Sequence, residues 1–405
     1  MRRDDADPFG ALWPDPVGAV GHATGHHANA FQPSVPGDRG RAVWSGIPWL
    51  GQLLCQTRAQ DEDTGPVSGG GQRASGIGDS DSQPVGTNGS RLPDGGPRLD
   101  IKIGPNGYAW WYLDGLSDDG RHGITIIALI GSVFSPYYAW ARRKGPVPAE
   151  NHCAMNVALY GRPGSRWAMT ERGMAALDRG PKHLKIGPSS LRWEGGTAIV
   201  DVNEIAVPVP KRIRGIIRIT PIVLNDQDFS LHSNGQHHWG PIAPCARIEV
   251  EMTHPNLHWE GSGYMDSNRG SAPLEDDFQG WDWSRVERPN GDSVVYYDLT
   301  QRDQTRRAIA HRFFAKGGGA AVDAPPKTRL PNINWQVARS TRSDSSSRVK
   351  LLKTLEDTPF YARSAIQMGI EGEVATGVHE SLNLDRFNKR WVQVLLPFRM
   401  PRRAG

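Results

Sequence analysis

The residues best suited to handling a proton in an apolar setting fall in three neighbouring stretches. These are His237-His238-Trp239-Gly240-Pro241, Trp259-Glu260-Gly261-Ser262-Gly263-Tyr264-Met265-Asp266 and Trp281-Asp282-Trp283. In extended backbone, side chains alternate between faces, so Tyr264 and Asp266 share one face, and His237 and Trp239 share another. A carboxyl lodged among indole rings loses the hydration of its anion, so its pKa rises and it can stay protonated near neutrality. That makes it a proton donor. The negative faces of Trp and Tyr rings can stabilise a developing carbocation. The same spacings also serve plain architecture: Trp-rich hairpins are more often core, and a Tyr-x-Asp pair is more often a turn hydrogen bond.

Other chemistry finds less support. His254 and His258 have metal-like spacing, but Pro255 lies between them and the HExxH glutamate is missing, so two loop histidines are expected and no metal. Gly261-Ser262-Gly263 lacks the GxSxG elbow, and neither GxGxxG nor a Walker sequence occurs. His22, His26 and His27 read as solvated. Arg212, Arg214 and Arg218 alternate with isoleucines and read as a solvated strand face; with Arg402 and Arg403 they would also suit anionic head groups. The three cysteines (Cys55, Cys153 and Cys245) are too few and too scattered for a disulfide framework, which fits a reducing compartment. A net charge of +4 is too mild for a dedicated nucleic-acid binder.

The elements that would position these residues are mostly strands. With 47 glycines and 31 prolines in 405 residues, the chain favours turns and hairpins over helical bundles. Residues 1–98 read as a flexible, low-complexity segment containing one apolar island, residues 44–54. From Leu99 onward, short apolar runs at 108–113, 124–134, 153–160, 167–170, 197–202 and 213–219 alternate with turns. Ala246, Ile248, Val250 and Met252 alternate with Arg247, Glu249 and Glu251, the period of a half-buried antiparallel strand. Asn290-Gly291 between two apolar runs marks a hairpin. Gly317-Gly318-Gly319 and Pro325-Pro326 suggest a boundary, giving an all-β chain in two linked parts, 99–316 and 325–405. No run reaches the ~20 apolar residues of a membrane span, and no secretory signal is evident.

Several long motifs resemble the carotenoid 1,2-hydratases (hydroxyneurosporene synthases) of phototrophic bacteria. They include Tyr108-Ala109-Trp110-Trp111-Tyr112, Ser132-Val133-Phe134-Ser135-Pro136-Tyr137-Tyr138-Ala139-Trp140-Ala141 and Asn151-His152-Cys153-Ala154-Met155-Asn156-Val157. Gly240-Pro241-Ile242-Ala243-Pro244-Cys245-Ala246-Arg247, Gly263-Tyr264-Met265-Asp266-Ser267-Asn268, Gly280-Trp281-Asp282-Trp283-Ser284-Arg285 and Pro397-Phe398-Arg399-Met400-Pro401-Arg402-Arg403 also belong to the resemblance, which runs from about Leu99 to the end. It implies a lipocalin-like β architecture and cofactor-independent hydration of the terminal 1,2 double bond of an acyclic carotenoid. It also implies that a His-x-Trp and a Tyr-x-Asp pair matter, here His237, Trp239, Tyr264 and Asp266. His238 and Arg269 depart from the family pattern.

On that basis Asp266 is expected to protonate C2, Trp239 and Tyr264 to stabilise the cation at C1, and His237 to position or deprotonate water. The reverse, with Asp266 as base and His237 as acid, fits the same residues. The expected partners are an acyclic carotenoid and water, with no nucleic acid. The expected location is peripheral, on the cytoplasmic side of the bacterial inner or intracytoplasmic membrane, through the basic patches or the 44–54 island. A non-catalytic carotenoid carrier and a hydrolase or metal enzyme are the alternatives.

Overall fold

The computed structural model describes residues 89–162 and 164–403. The 44–54 island, His22, His26, His27 and most of the 1–98 segment therefore lie outside the described residues. Within them, the runs marked by sequence pair into antiparallel hairpins. Tyr108–Ser117 pairs with Gly123–Ile130, and Cys153–Tyr160 and Arg166–Arg172 extend the ladder. Their apolar runs are nearly continuous because both faces are covered. Trp111, Leu113, Ile126 and Met155 enter one core cluster, while Tyr108, Trp110, Tyr112 and Ala154 enter another. The strand His237–His254 behaves differently over 246–252. There Ala246, Ile248, Val250 and Met252 are buried, and Arg247 and Glu251 are exposed, as the alternation predicts.

The architecture is mostly β, as expected, and almost entirely antiparallel, and it consists of two main sheets. Among the described residues, thirteen strands form the first, in which Asn256–Gly270 lies between Tyr108–Ser117 and His237–His254. Seven strands form the second, with Phe278–Glu287 between Ser293–Gln301 and Glu373–Asn383. The Asn290-Gly291 turn joins two of these strands, with Gly291 at a φ of +83° that a side chain would strain.

The boundary expected near Gly317–Gly319 is not where the sheets divide. That glycine run is the turn between Arg306–Phe313 and Gly319–Ala321, which pair with each other. The division falls between Gly270 and Phe278, and the late strands Tyr361–Ile370 and Glu373–Asn383 complete the same sheet that Phe278 begins. Glycine composition marks turns, and a turn inside a sheet looks the same locally as a linker.

Residues 89–98 also differ from the expectation of a flexible segment. Arg91 bridges to Pro97, Leu92 is buried, and the Ser90 hydroxyl donates to Asp228 at 3.0 Å. After Asn383 the chain forms the short helices Leu384–Phe387 and Arg390–Leu395 rather than further strands of this sheet. Arg402–Arg403 then pairs in parallel with Arg166–Arg172. No helix among the described residues is long and apolar enough to cross a membrane.

Candidate active site

Tyr108–Ser117, Asn256–Gly270 and His237–His254 lie side by side at the centre of the first sheet, and one face of each meets the second sheet, whose Phe278–Glu287 strand carries Trp281-Asp282-Trp283. Along Asn256–Gly270, Tyr264, Asp266 and Asn268 share that face, as the period of two requires. Asp266 stands opposite Tyr112 on one side and Pro241 on the other, and Asn268 stands opposite Trp110 and Trp239. Prolines are unusual in a central strand because they cannot donate to the ladder. The His237–His254 strand carries Pro241 and Pro244, and its register slips between Pro241 and Ala243 and again between Ala243 and Ala246. These irregularities sit directly beside the Asp266 position.

The structure brings Trp239, Tyr264 and Asp266 together. The Trp239 indole N–H and the Tyr264 hydroxyl both donate to Oδ2 of Asp266, at 2.8 and 2.9 Å. The carboxyl is buried, and burial pushes its pKa up to about 7 against the opposing pull of those two hydrogen bonds. With Oδ2 accepting twice, the acidic proton belongs on Oδ1, which has no partner among the described residues. In its protonated form the carboxyl is an acid with one oxygen tied down and the other free.

His237 stands apart from this trio. It pairs across from Gly270, further along the strand than Asp266, and both of its ring nitrogens are engaged. Nε2 lies 2.7 Å from Asp277 Oδ2, and Nδ1 lies 2.9 Å from the Tyr108 hydroxyl. A carboxylate can only accept, so Nε2 carries the hydrogen and Nδ1 accepts from Tyr108. Burial holds the His237 pKa below its usual value although Asp277 opposes this, so the ring is neutral. Gly270 makes the contact possible: Tyr108 and His237 flank it on either side, and a Cβ there would come within 2.5 Å of the Tyr108 ring and 2.7 Å of His237 Nδ1. The expectation that His237 works on water next to Asp266 is thus not matched by its contacts.

Aromatic rings wall the seam. Tyr264 packs on Trp283 at 5.5 Å, and Trp239 meets Tyr297 edge-on at 5.7 Å. From Trp110 a line of rings leads through Phe134 and Phe360 to Phe387, at centroid spacings of 6.3, 6.4 and 5.2 Å, and so to the Leu384–Phe387 helix. One face of Tyr264 already carries the Arg285 guanidinium at 5.2 Å.

That guanidinium belongs to a buried network centred on Asp114, a residue outside every motif named above. Asp114 accepts from Arg285 at 2.6 Å, from Arg363 at 2.8 Å and from the Tyr112 hydroxyl at 2.7 Å, and Arg363 also pairs with Glu380. A charged residue inside an otherwise apolar strand, as in YAWWYLDGLS and YARSAIQMGI, was the available signal, because such a charge must be paired.

The remaining sequence candidates lie elsewhere. His238 bonds the Gly235 carbonyl, and Asp282 accepts from Ser340 and Ser381. His258 is exposed near Glu249 and Glu251, but Arg218 pairs with both carboxylates. Arg402 is bonded to Glu171.

Residues 126–405 match the family described as carotenoid hydratase CrtC. The acyclic carotenoid 1,2-hydratase of Thiocapsa roseopersicina is 49% identical over 397 residues, covering 98% of each chain. That of Rubrivivax gelatinosus is 46% identical, covering 93% of each, and that of Cereibacter sphaeroides is 41% identical over 69% of this chain and 99% of its own. A match over more than half its length, and relatives this similar nearly end to end, establish that the chain belongs to the carotenoid hydratase CrtC family.

Proposed function

We propose that this chain adds water across the terminal C1–C2 double bond of an acyclic carotenoid, such as neurosporene or lycopene, to give a tertiary alcohol at C1 without a cofactor. The observation that carries this reading is the buried Asp266 carboxyl, with Trp239 and Tyr264 both donating to Oδ2 and leaving Oδ1 to hold a proton. An isolated alkene is a weak base and needs a strong, desolvated acid. Asp266 supplies its Oδ1 proton to C2, the π pair forms the new C–H bond, and positive charge develops at the more substituted C1. The aspartate left behind and the flanking indole of Trp239 stabilise that charge. Tyr264 serves chiefly to hold the acid, since Arg285 already occupies one face of its ring. His237 acts as a positioning residue that fixes Tyr108 at the end of the seam.

We place the protein at a membrane surface, because its substrate is a bilayer solute. Of the basic residues named above, Arg218 and Arg402 are paired with carboxylates. The segment 390–398 is better suited. Val394 and Phe398 are exposed, Lys389 and Arg390 precede them, and Gln393 accepts from the exposed Arg143 at the end of the short helix Pro136–Arg142. Apolar side chains beside cations match an anionic lipid surface. The aromatic line from Phe387 to Trp110 starts beside this segment.

The test is incubation with lycopene or neurosporene in lipid vesicles containing ¹⁸O-labelled water and no added cofactor. A labelled hydroxyl in the product supports the proposal. Carotenoid that is bound but unchanged would favour a carrier instead.

A further inference from the structure

Asp266 is not alone in holding an unanswered polar atom in the seam. Asn268, two residues on along the same strand face, is also buried; its Nδ2 makes no close hydrogen bond among the described residues although its side chain reaches the Tyr297 hydroxyl, and Asp266 Oδ1 has no partner among them. A buried donor or acceptor left unanswered calls for an explanation, and an ordered water held between two of them is one. Residues at this spacing on a strand are roughly 6.5–7 Å apart at Cα. That suits one small molecule accepting from an amide N–H at one end and donating to a carboxyl oxygen at the other. Trp110 and Trp239 stand on either side of Asn268 in the neighbouring strands. From the second sheet, Tyr297 lies beside Asn268 and within electrostatic reach of Asp266. His237 offers no competing base, because Tyr108 and Asp277 occupy both of its nitrogens.

We infer that Asn268, assisted by Tyr297, holds the attacking water against Oδ1 of Asp266, so that this one carboxyl both gives a proton to C2 and takes one back from the water. The inference rests on the proposed reading of Asp266 as the acid. In the first step the Oδ1–H bond breaks, the C1–C2 π pair takes the proton at C2, and a cation–carboxylate pair forms. In the second, a lone pair of the water forms the C1–O bond while an O–H bond of that water breaks, and the proton returns to Oδ1. The acid is regenerated, one water is consumed, and no oxidant, reductant or second base takes part. Both new bonds form on the same face of the alkene.

The discriminating experiment uses the full chain with lycopene in vesicles made up in D2O. It follows both the alcohol product and deuterium at C2 of recovered lycopene. A cation that forms but is not captured by water returns to alkene by losing a proton, and loss from a C1 methyl rather than of the added deuteron leaves deuterium at C2 of the recovered hydrocarbon. Asn268→Ala should lower alcohol formation about 10²-fold, the scale of misplacing a reacting group, while label in recovered lycopene rises. Tyr297→Phe, which keeps the ring and loses only the hydroxyl, should move both quantities the same way by a smaller factor. Asp266→Asn should abolish product and label together. Hydration within threefold of the unmodified chain in both Asn268→Ala and Tyr297→Phe would overturn the water site while leaving the acid assignment standing. So would loss of product without any label in Tyr297→Phe. Persistent label in Asp266→Asn would overturn the acid assignment, and the water site with it.

Discussion

Burial raises the Asp266 pKa to about 7, and two hydrogen bonds to Oδ2 restrain the rise. The catalytically useful form is the protonated one, so turnover should be flat at acid pH and fall as pH rises through about 7. A pH–rate profile in vesicles checks this. Tyr264→Phe removes one bond that favours the anion, so the alkaline limb should move to higher pH even as the maximal rate drops. Asp266→Asn should abolish turnover and leave carotenoid binding intact. Stability gives an independent reading of the same group. A carboxyl whose folded pKa lies above its unfolded value of ~3.9 contributes most stability below that value and loses the contribution as pH climbs to about 7. Above pH 7, therefore, Asp266→Asn should melt at or above the temperature of the unmodified chain. A lower melting temperature there would show that the carboxylate is structurally required.

At the scale of elements, two devices set the seam. The first is Gly270, whose missing side chain lets Tyr108 and His237 meet across the strand between them. Gly270→Ala forces those rings apart, and overpacking of this kind costs about 1–3 kcal/mol. Its thermal melt should fall accordingly, with turnover falling too. The second is the clamp of Asp114 on Arg285 and Arg363, which ties the first sheet to two strands of the second. Asp114→Ala leaves two guanidinium groups buried with a lost partner, a change worth about 3–5 kcal/mol. Denaturant titration should show that loss. A like-sized substitution at the exposed, paired Asp118 should show little, since surface pairs contribute about 0–1 kcal/mol.

Across the whole molecule, the acid lies between two sheets, the exposed Val394 and Phe398 lie in the 390–398 segment, and a line of aromatic rings runs from Trp110 to Phe387, just before that segment. If this segment is where the protein meets the bilayer, Phe398→Asp should weaken flotation with anionic liposomes and lower turnover of vesicle-borne substrate. Turnover of detergent-dispersed carotenoid should be affected much less. Unchanged flotation would assign membrane contact to another surface.

Much of this was legible in the chain alone. The hairpin at Asn290-Gly291, the strands beginning at Tyr108 and Cys153, the alternation from Ala246 to Met252, and the shared faces of Tyr264 with Asp266 and His237 with Trp239 all follow from local backbone geometry. A period of two needs no knowledge of neighbours. Which strands become neighbours is another matter. That Arg363 answers Asp114 from 249 residues away, that Asp277 and Tyr108 occupy His237, and that the glycine run after Ala315 is a turn within a sheet depend on sheet order and register. Those are decided by competition among many apolar faces for burial over long sequence separations, and spacing within a strand does not record the outcome. Backbone alternation alone puts Asp266 on one face with Tyr264. That a second sheet seals this face follows from long-range packing, and sealing is what desolvates the carboxyl and raises its pKa.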